Sequence, residues 1–316
     1  MEGNNEKDFT PKVMTVDEVR NRKRKERERR RKERKAEGKR SWATFGLTLV
    51  LLLGLAIVIY PSFSNWWNSR VQSRAMASYD EAVSSMSEAD YSEYFEAAYA
   101  YNEAIAKLGS ATSISNPGLI EGYSNILNVS GTGVMGYITI EKIGVELPIY
   151  HGTSASVLQI AAGHLEGTSL PVGGESTHAV ISAHRGLPSA TLFTHLDQME
   201  VGDTFTITIL NEVLTYEVDQ ISIIYPNELE TIYIEDGQDY VTLMTCTPYG
   251  INTQRLMVRG HRIETEAAKK TIKVTAEAYK IDTILVSVCV AIPMVIILFI
   301  IVSLPRKKKY DGHRKP

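Results

Sequence analysis

The sequence predicts a mostly β extracytoplasmic domain, a closed barrel preceded by amphipathic helices and flanked by two membrane-spanning helices. Three observations predict it. Short β-rich runs divided by turn residues fill positions 134–268. Residues 70–107 repeat apolar side chains at helical spacing without a Gly or Pro. Two uncharged apolar runs, each close to the about 20 residues that cross a bilayer core, abut strongly basic flanks.

The elements follow in order. Residues 1–41 form a basic segment, with 16 Lys and Arg against 9 Asp and Glu in the first forty. Its mixture of Glu with Arg and Lys reads as a solvated cytoplasmic stretch that meets anionic lipid. Nothing beyond charge supports nucleic-acid binding, and none is expected. The span at 42–63, WATFGLTLVLLLGLAIVIYPSF, lacks a clear small-residue cleavage site and is followed by Trp66 and Trp67. It reads as an uncleaved signal anchor with an interfacial aromatic belt. Helices and a loop occupy 64–133, with Val71, Met76, Val83 and Met86 on one stripe and Tyr91, Phe95, Ala98 and Tyr99 on another. The barrel takes 134–268, in candidate strands GYITIEKI, VELPIY, HAVISAH, DTFTITI, LTYEVDQISII, YVTLMTC and RLMVRGHRI. A stalk at 269–282 leads into the second span at 283–305 and a basic tail at 306–316, which holds 6 basic residues against 1 acidic. The remainder holds 12 basic and 27 acidic residues, so the positive-inside rule puts both termini in the cytoplasm and the acidic middle outside.

That topology gives meaning to cysteine usage. Of two cysteines, Cys289 lies in the second span, as a small apolar filler. Cys246 is then alone outside the cell, with no partner in its own chain for a disulfide. It is either an inert buried thiol or a nucleophile. A thiol attacks a carbonyl only as thiolate, so a working cysteine needs a proton acceptor or a nearby cation. Of the seven histidines, His313 lies in the tail, and His151, His164, His178, His195 and His261 read as surface or turn residues. His184 ends the apolar strand HAVISAH as Cys246 ends YVTLMTC, so the two can meet at one barrel rim. Arg255 opens the next strand after the loop TPYGINTQ, which can return the chain antiparallel and set a guanidinium opposite the cysteine. Arg259, four residues on, projects on the same face and is its rival; Arg255 is nearer the loop and is favoured. The chain has no GxGxxG, no P-loop, no clustered Cys/His ligands and no acidic calcium loop, so no cofactor or metal is expected.

The TLMTC motif, the arginine nine residues after its cysteine and the histidine strand about sixty residues before it resemble the sortases, cysteine transpeptidases of Gram-positive cell envelopes. The segments GYITIEKIGVELPIYHGTS, AAGHLEGTSLPVGGESTHAVISAHRGLPSATLFTHLD and TLMTCTPYGINTQRLMVRGHRI resemble the pilin-polymerising class C in particular, as does a second, C-terminal span. The resemblance implies a sortase-like barrel, with Cys246 as nucleophile, His184 as proton-transfer partner and Arg255 as the cation of the triad. It implies secreted pilins with LPXTG-like sorting signals as substrates and a pilin lysine as acceptor. Class C enzymes commonly carry a lid with an Asp-Pro-aromatic motif before the barrel. The corresponding place here is Asn116-Pro117-Gly118, without acid or ring, so weaker self-occlusion of Cys246 is expected. Ala183 and Gln254 replace the family's usual Gly and His beside the histidine and arginine. Two other readings stand: a housekeeping or pilus-base sortase whose acceptor is a cell-wall amine, and an inactive pilin-binding scaffold.

Overall fold

The computed structural model describes residues 15–265 and the single position Pro293. The expected stalk at 269–282, the rest of the expected span at 283–305 and the tail at 306–316 lie outside the described residues. Within them the chain divides into two compact units at Ile59.

One helix, α1 (Val16–Ser84), runs through the expected boundaries of the basic segment and first span without a break. Its Arg-, Lys-, Glu- and Ala-rich composition favours helix, and Pro61, lacking an N–H, does not end it. Before Ile59 its basic stretch carries i,i+4 pairs such as Arg24–Glu28 and Arg29–Glu33. From Phe45 it is long and apolar enough to cross a bilayer, by length and composition, and the protein buries none of that apolar stretch.

In the second unit the end of α1 turns a stripe inward: Gln72, Met76, Tyr79 and Val83 are buried. Met76 and Val83 of the expected stripe are buried and Met86 is half-buried, while Gln72 takes the place of Val71 and Tyr79 joins them, because their polar tips find backbone partners. The Gln72 amide donates to Ile160 O at 2.6 Å, and the fully buried Tyr79 hydroxyl donates to Met135 O at 3.0 Å and accepts from Leu210 N at 2.8 Å. Helix α2 (Glu88–Leu108) starts on a capping box between Ser87 and Asp90 and buries Phe95, Ala98, Tyr101, Asn102 and Ile105. Asn102 exchanges two hydrogen bonds with the Leu170 backbone. A short helix, α3 (Ser110–Ser115), precedes the loop to the barrel.

Eight strands close into a barrel in the order β1-β2-β3-β4-β7-β8-β6-β5. They are β1 (Val134–Ile140), β2 (Val145–His151), β3 (Ala162–His164), β4 (Thr177–Ser182), β5 (Thr204–Ile209), β6 (Glu212–Ile224), β7 (Asp239–Thr247) and β8 (Gln254–Ile263). Pairings β2–β3 and β4–β7 are parallel and the others antiparallel. Closure between β1 and β5 needs Gly136, whose Cβ would stand 2.3 Å from Thr208 O. Alternate residues of β7 divide two environments. Val241 and Leu243 point into the main core with Ile138, Ile149, Phe205 and Val258. Met244 points outward, into a second cluster with Val180, Ile224, Met257, Ile114 of α3 and Leu229 and Ile232 of the β6–β7 connection.

Two expected surface histidines prove to be buried, a correction to the reading from sequence. His164 sets Nδ1 against the Tyr123 hydroxyl at 2.8 Å and Nε2 against Ser169 O at 2.7 Å. His178 sets Nδ1 against Tyr233 O and Nε2 against Thr242 Oγ1. With both ring nitrogens satisfied, each ring is tolerated inside, where burial lowers its pKa to about 4. His151 likewise spans two carbonyls, of Gly133 and Ile126.

Two predictions follow from these buried polar groups. Tyr79→Phe strands the Met135 carbonyl and Leu210 amide and lowers stability by about 1–3 kcal/mol in chemical denaturation; an unchanged midpoint contradicts it. The unfolded chain protonates its histidines near pH 6.5, but His164 and His178 protonate in the fold only near 4. The unfolded state therefore binds more protons between those values, and stability falls as pH drops through that window, by roughly 2–3 kcal/mol for each histidine. Flat stability from pH 6.5 to 4 contradicts it.

Candidate active site

The outward face of β4, β7 and β8 is a set of cross-strand rows. Ser182 lies opposite Met244, which lies opposite Met257; Val180 opposes Thr242, which opposes Arg259. The row at the rim holds the three residues that the sequence singled out. Cys246 is directly paired with Arg255 in the antiparallel β7–β8 ladder. On the other side, Ala183 N donates to Met244 O at 3.2 Å and Thr245 Oγ1 donates to Ala183 O at 2.8 Å, carrying the parallel β4–β7 register past the end of β4. His184 is the next residue along, just past the end of this pairing, beside the strand end that carries Cys246. Neighbouring strands lie roughly 4.8 Å apart, so the row brings a thiol and a guanidinium together on one face, with the imidazole carried at the adjoining strand end.

The three side chains are half-buried. Cys246 is a free thiol. Burial lowers the His184 pKa from its usual value, which keeps the imidazole neutral near pH 7. Its ring makes no hydrogen bond among the described residues, in contrast to His151, His164 and His178, so both nitrogens are open to a ligand. The Arg255 Nη1 contacts only backbone carbonyls, of Asn252 at 3.3 Å and Gln254 at 3.0 Å, and has no carboxylate partner among the described residues.

Arg259 is differently placed. It lies four residues further along β8, on the order of 13 Å from the Arg255 position. Asp219 grips its Nε and Nη2 at 3.1 and 2.9 Å, Glu235 takes Nη1 at 3.0 Å, and its guanidinium lies 4.0 Å over the Tyr240 ring. The structure thus sets Arg255, and not its rival, beside Cys246.

The rim is completed by residues that the reading from sequence passed over. Arg185, next to His184, pairs with Asp197 and reaches Thr247 Oγ1 at 3.5 Å. Tyr249, in the β7–β8 loop after the cis Thr247–Pro248 bond, packs on Gly186. The one available signal was adjacency: Arg185 follows His184, and Thr247 follows Cys246. The β7–β8 loop is residues 248–253, shorter than the eight residues read from sequence, because both strands extend into it. Asn116, Pro117 and Gly118, the expected lid position, are exposed, and the Asn116 amide turns back to Thr112 O of its own helix at 3.0 Å. No group of three or more His, Cys, Asp or Glu side chains among the described residues is arranged to hold a metal ion.

A family model described as the sortase domain matches residues 138–263. The structure is similar to the crystal structure of sortase C1 from Streptococcus agalactiae, with TM-score 0.55 and 48% identity over 60% of this chain and 98% of that one. It is similar to a sortase C from Streptococcus pneumoniae, with TM-score 0.54 and 46% identity over 60% and 96%. Among curated proteins it is 29% identical over 131 residues to sortase D of Bacillus subtilis, a match to 40% of this chain and 63% of that protein, short of two thirds of its length. The chain belongs to the sortase family, and its structural neighbours are class C members.

The two arginines separate by stability. Arg259→Ala breaks a partly buried network and lowers the unfolding free energy by about 1–3 kcal/mol, whereas Arg255→Ala, with backbone partners alone, shifts it by less than about 0.5 kcal/mol. An equal loss in both variants contradicts this division.

Proposed function

We propose that this chain is a membrane-anchored cysteine transpeptidase of the class C type that joins pilin subunits. The observation that supports it most is the pairing of Cys246 with Arg255 in the β7–β8 ladder, with His184 two residues past the end of the neighbouring β4. In this reading the Cys246 thiol gives its proton to the neutral His184, and Sγ, as thiolate, bonds to the threonine carbonyl carbon of an LPXTG-like signal. Arg255 stabilises the oxyanion, the only charge that develops on the acyl group. The intermediate collapses with cleavage of the Thr–Gly bond, and His184 supplies the proton that the leaving amine takes. A lysine amine of a second pilin then attacks the thioester and gives its proton to the neutral His184, and Cys246 leaves as thiolate. The product is an isopeptide bond. The open, neutral His184 ring suits that second half, where a base is required.

The apolar stretch of α1 supports an anchor at the N-terminal side, and the uncharged run at 283–305 supports a second span, with both termini cytoplasmic. Such anchoring holds the row where secreted substrates emerge. A cell-wall amine is the other acceptor this chemistry would use. The class C neighbours favour the pilin, since the structure of the Streptococcus pneumoniae sortase C bears on pilin substrate specificity.

Incubated with a pilin bearing an LPXTG-like signal, the enzyme gives a ladder of covalent multimers, and Cys246→Ala gives none. Arg255→Ala lowers kcat/KM on a signal peptide on the order of 100-fold, with a smaller loss in Arg259→Ala. Cleavage without multimers contradicts the pilin acceptor, multimers from Cys246→Ala contradict the nucleophile, and a greater loss in Arg259→Ala contradicts the arginine.

A further inference from the structure

Resting on the reading of His184 and Cys246 as the reacting pair, we propose that Arg185 is a positioning residue: its guanidinium locks the turn that carries His184 onto the strand end that carries Cys246. His184 lies beyond the last residue of β4, Ser182, where the strand ladder no longer fixes the chain. The bonds that continue it end at Ala183. Past that point the backbone is held from one side only, by Phe193 N to His184 O at 3.1 Å and Gly186 N to Thr194 Oγ1 at 3.1 Å. Both link the turn to the segment after it, and neither links it to β7.

Arg185 supplies the missing link. Its side chain is 11% exposed. Nη2 pairs with Asp197 in the 3-10 turn Leu196–Gln198, and Nη1 reaches Thr247 Oγ1, on the residue after the cysteine. The Tyr249 ring stands 5.9 Å from the guanidinium and lies against Gly186, where a Cβ would meet it at 2.8 Å. Gly186 has φ +76°, so the same glycine permits the turn and admits the ring. One planar side chain thereby spans the histidine turn, the cysteine strand end and the loop that returns to Arg255. Its Nε is buried without a partner. A guanidinium chosen for stability alone would not leave a donor stranded, whereas a fork that fixes separation between two segments is what its rigidity suits.

The test is a double-mutant cycle read on the full chain. Its main readout is the alkylation rate of Cys246 by iodoacetamide across pH, which remains measurable when catalysis is lost. Arg185→Gln is expected to move the rate profile several-fold toward that of His184→Gln, and to change nothing further when added to His184→Gln. With a signal peptide, Arg185→Gln lowers kcat roughly 10- to 100-fold with KM unchanged, as expected for misplacement of one group by about an ångström. Arg185→Lys keeps the pairing to Asp197 but not the fork and recovers part of the loss. If Arg185→Gln does not fold, Thr247→Val removes only the bridge acceptor and shows the same dependence on background with a smaller loss. Equal changes in both backgrounds, no change in either, or a loss in KM alone overturns the proposal. The His184→Gln variant by itself judges the underlying reading: its normal peptide turnover would refute that reading, whereas its loss combined with a silent Arg185→Gln would refute only the positioning role.

Discussion

The site depends on the register of one strand. β7 pairs in parallel with β4 and antiparallel with β8, so Cys246 faces Arg255 across one ladder and lies beside the strand end that carries His184 on the other. Side chains alternate along a strand, and a slip of one residue would turn the cysteine into the barrel and Leu243 out of it. The burial of Leu243 and Val241 in the main core is therefore what keeps the thiol at the surface. Packing inside and chemistry outside are fixed by the same alternation.

Outside the row, the face is graded. Met244 and Met257 lie behind the cysteine under Ile224 and Ile232, an apolar floor, and Arg259 with Asp219, Glu235 and Tyr240 closes its far end. A charge in the outer network is neutralised by carboxylates, while the one at the rim is left with backbone carbonyls. The helices buttress the barrel from elsewhere: the Tyr79 hydroxyl ties Met135 of β1 to Leu210 beside β5. They act on function through the scaffold, since a rigid barrel holds a three-residue row better than loops do.

Seven strands were legible because their apolar–polar alternation and turn residues are local signals. β3 was not: three residues, Ala-Gly-His, carry no period, and only its pairing with β2 and β4 makes it a strand. The parallel partners were illegible for the same reason, since pairing is not written in a strand's own pattern. Cys246, His184 and Arg255 stood out because each ends or opens an apolar strand. The buried His164 and His178 did not, because their environment is made by Ser169, Tyr233 and Thr242 from elsewhere in the chain. Helix α1 was divided by its changes of composition, yet a helix tolerates such changes when no residue breaks it.

The central claim is that Cys246 takes the acyl group at this row. Intact-mass and peptide-level mass spectrometry after brief incubation with an LPXTG-like peptide tests it directly. The account predicts one adduct of the peptide up to its threonine, carried by Cys246 and released by hydroxylamine. An adduct on another residue, or cleaved peptide with no hydroxylamine-labile adduct on Cys246 at any time, would contradict it.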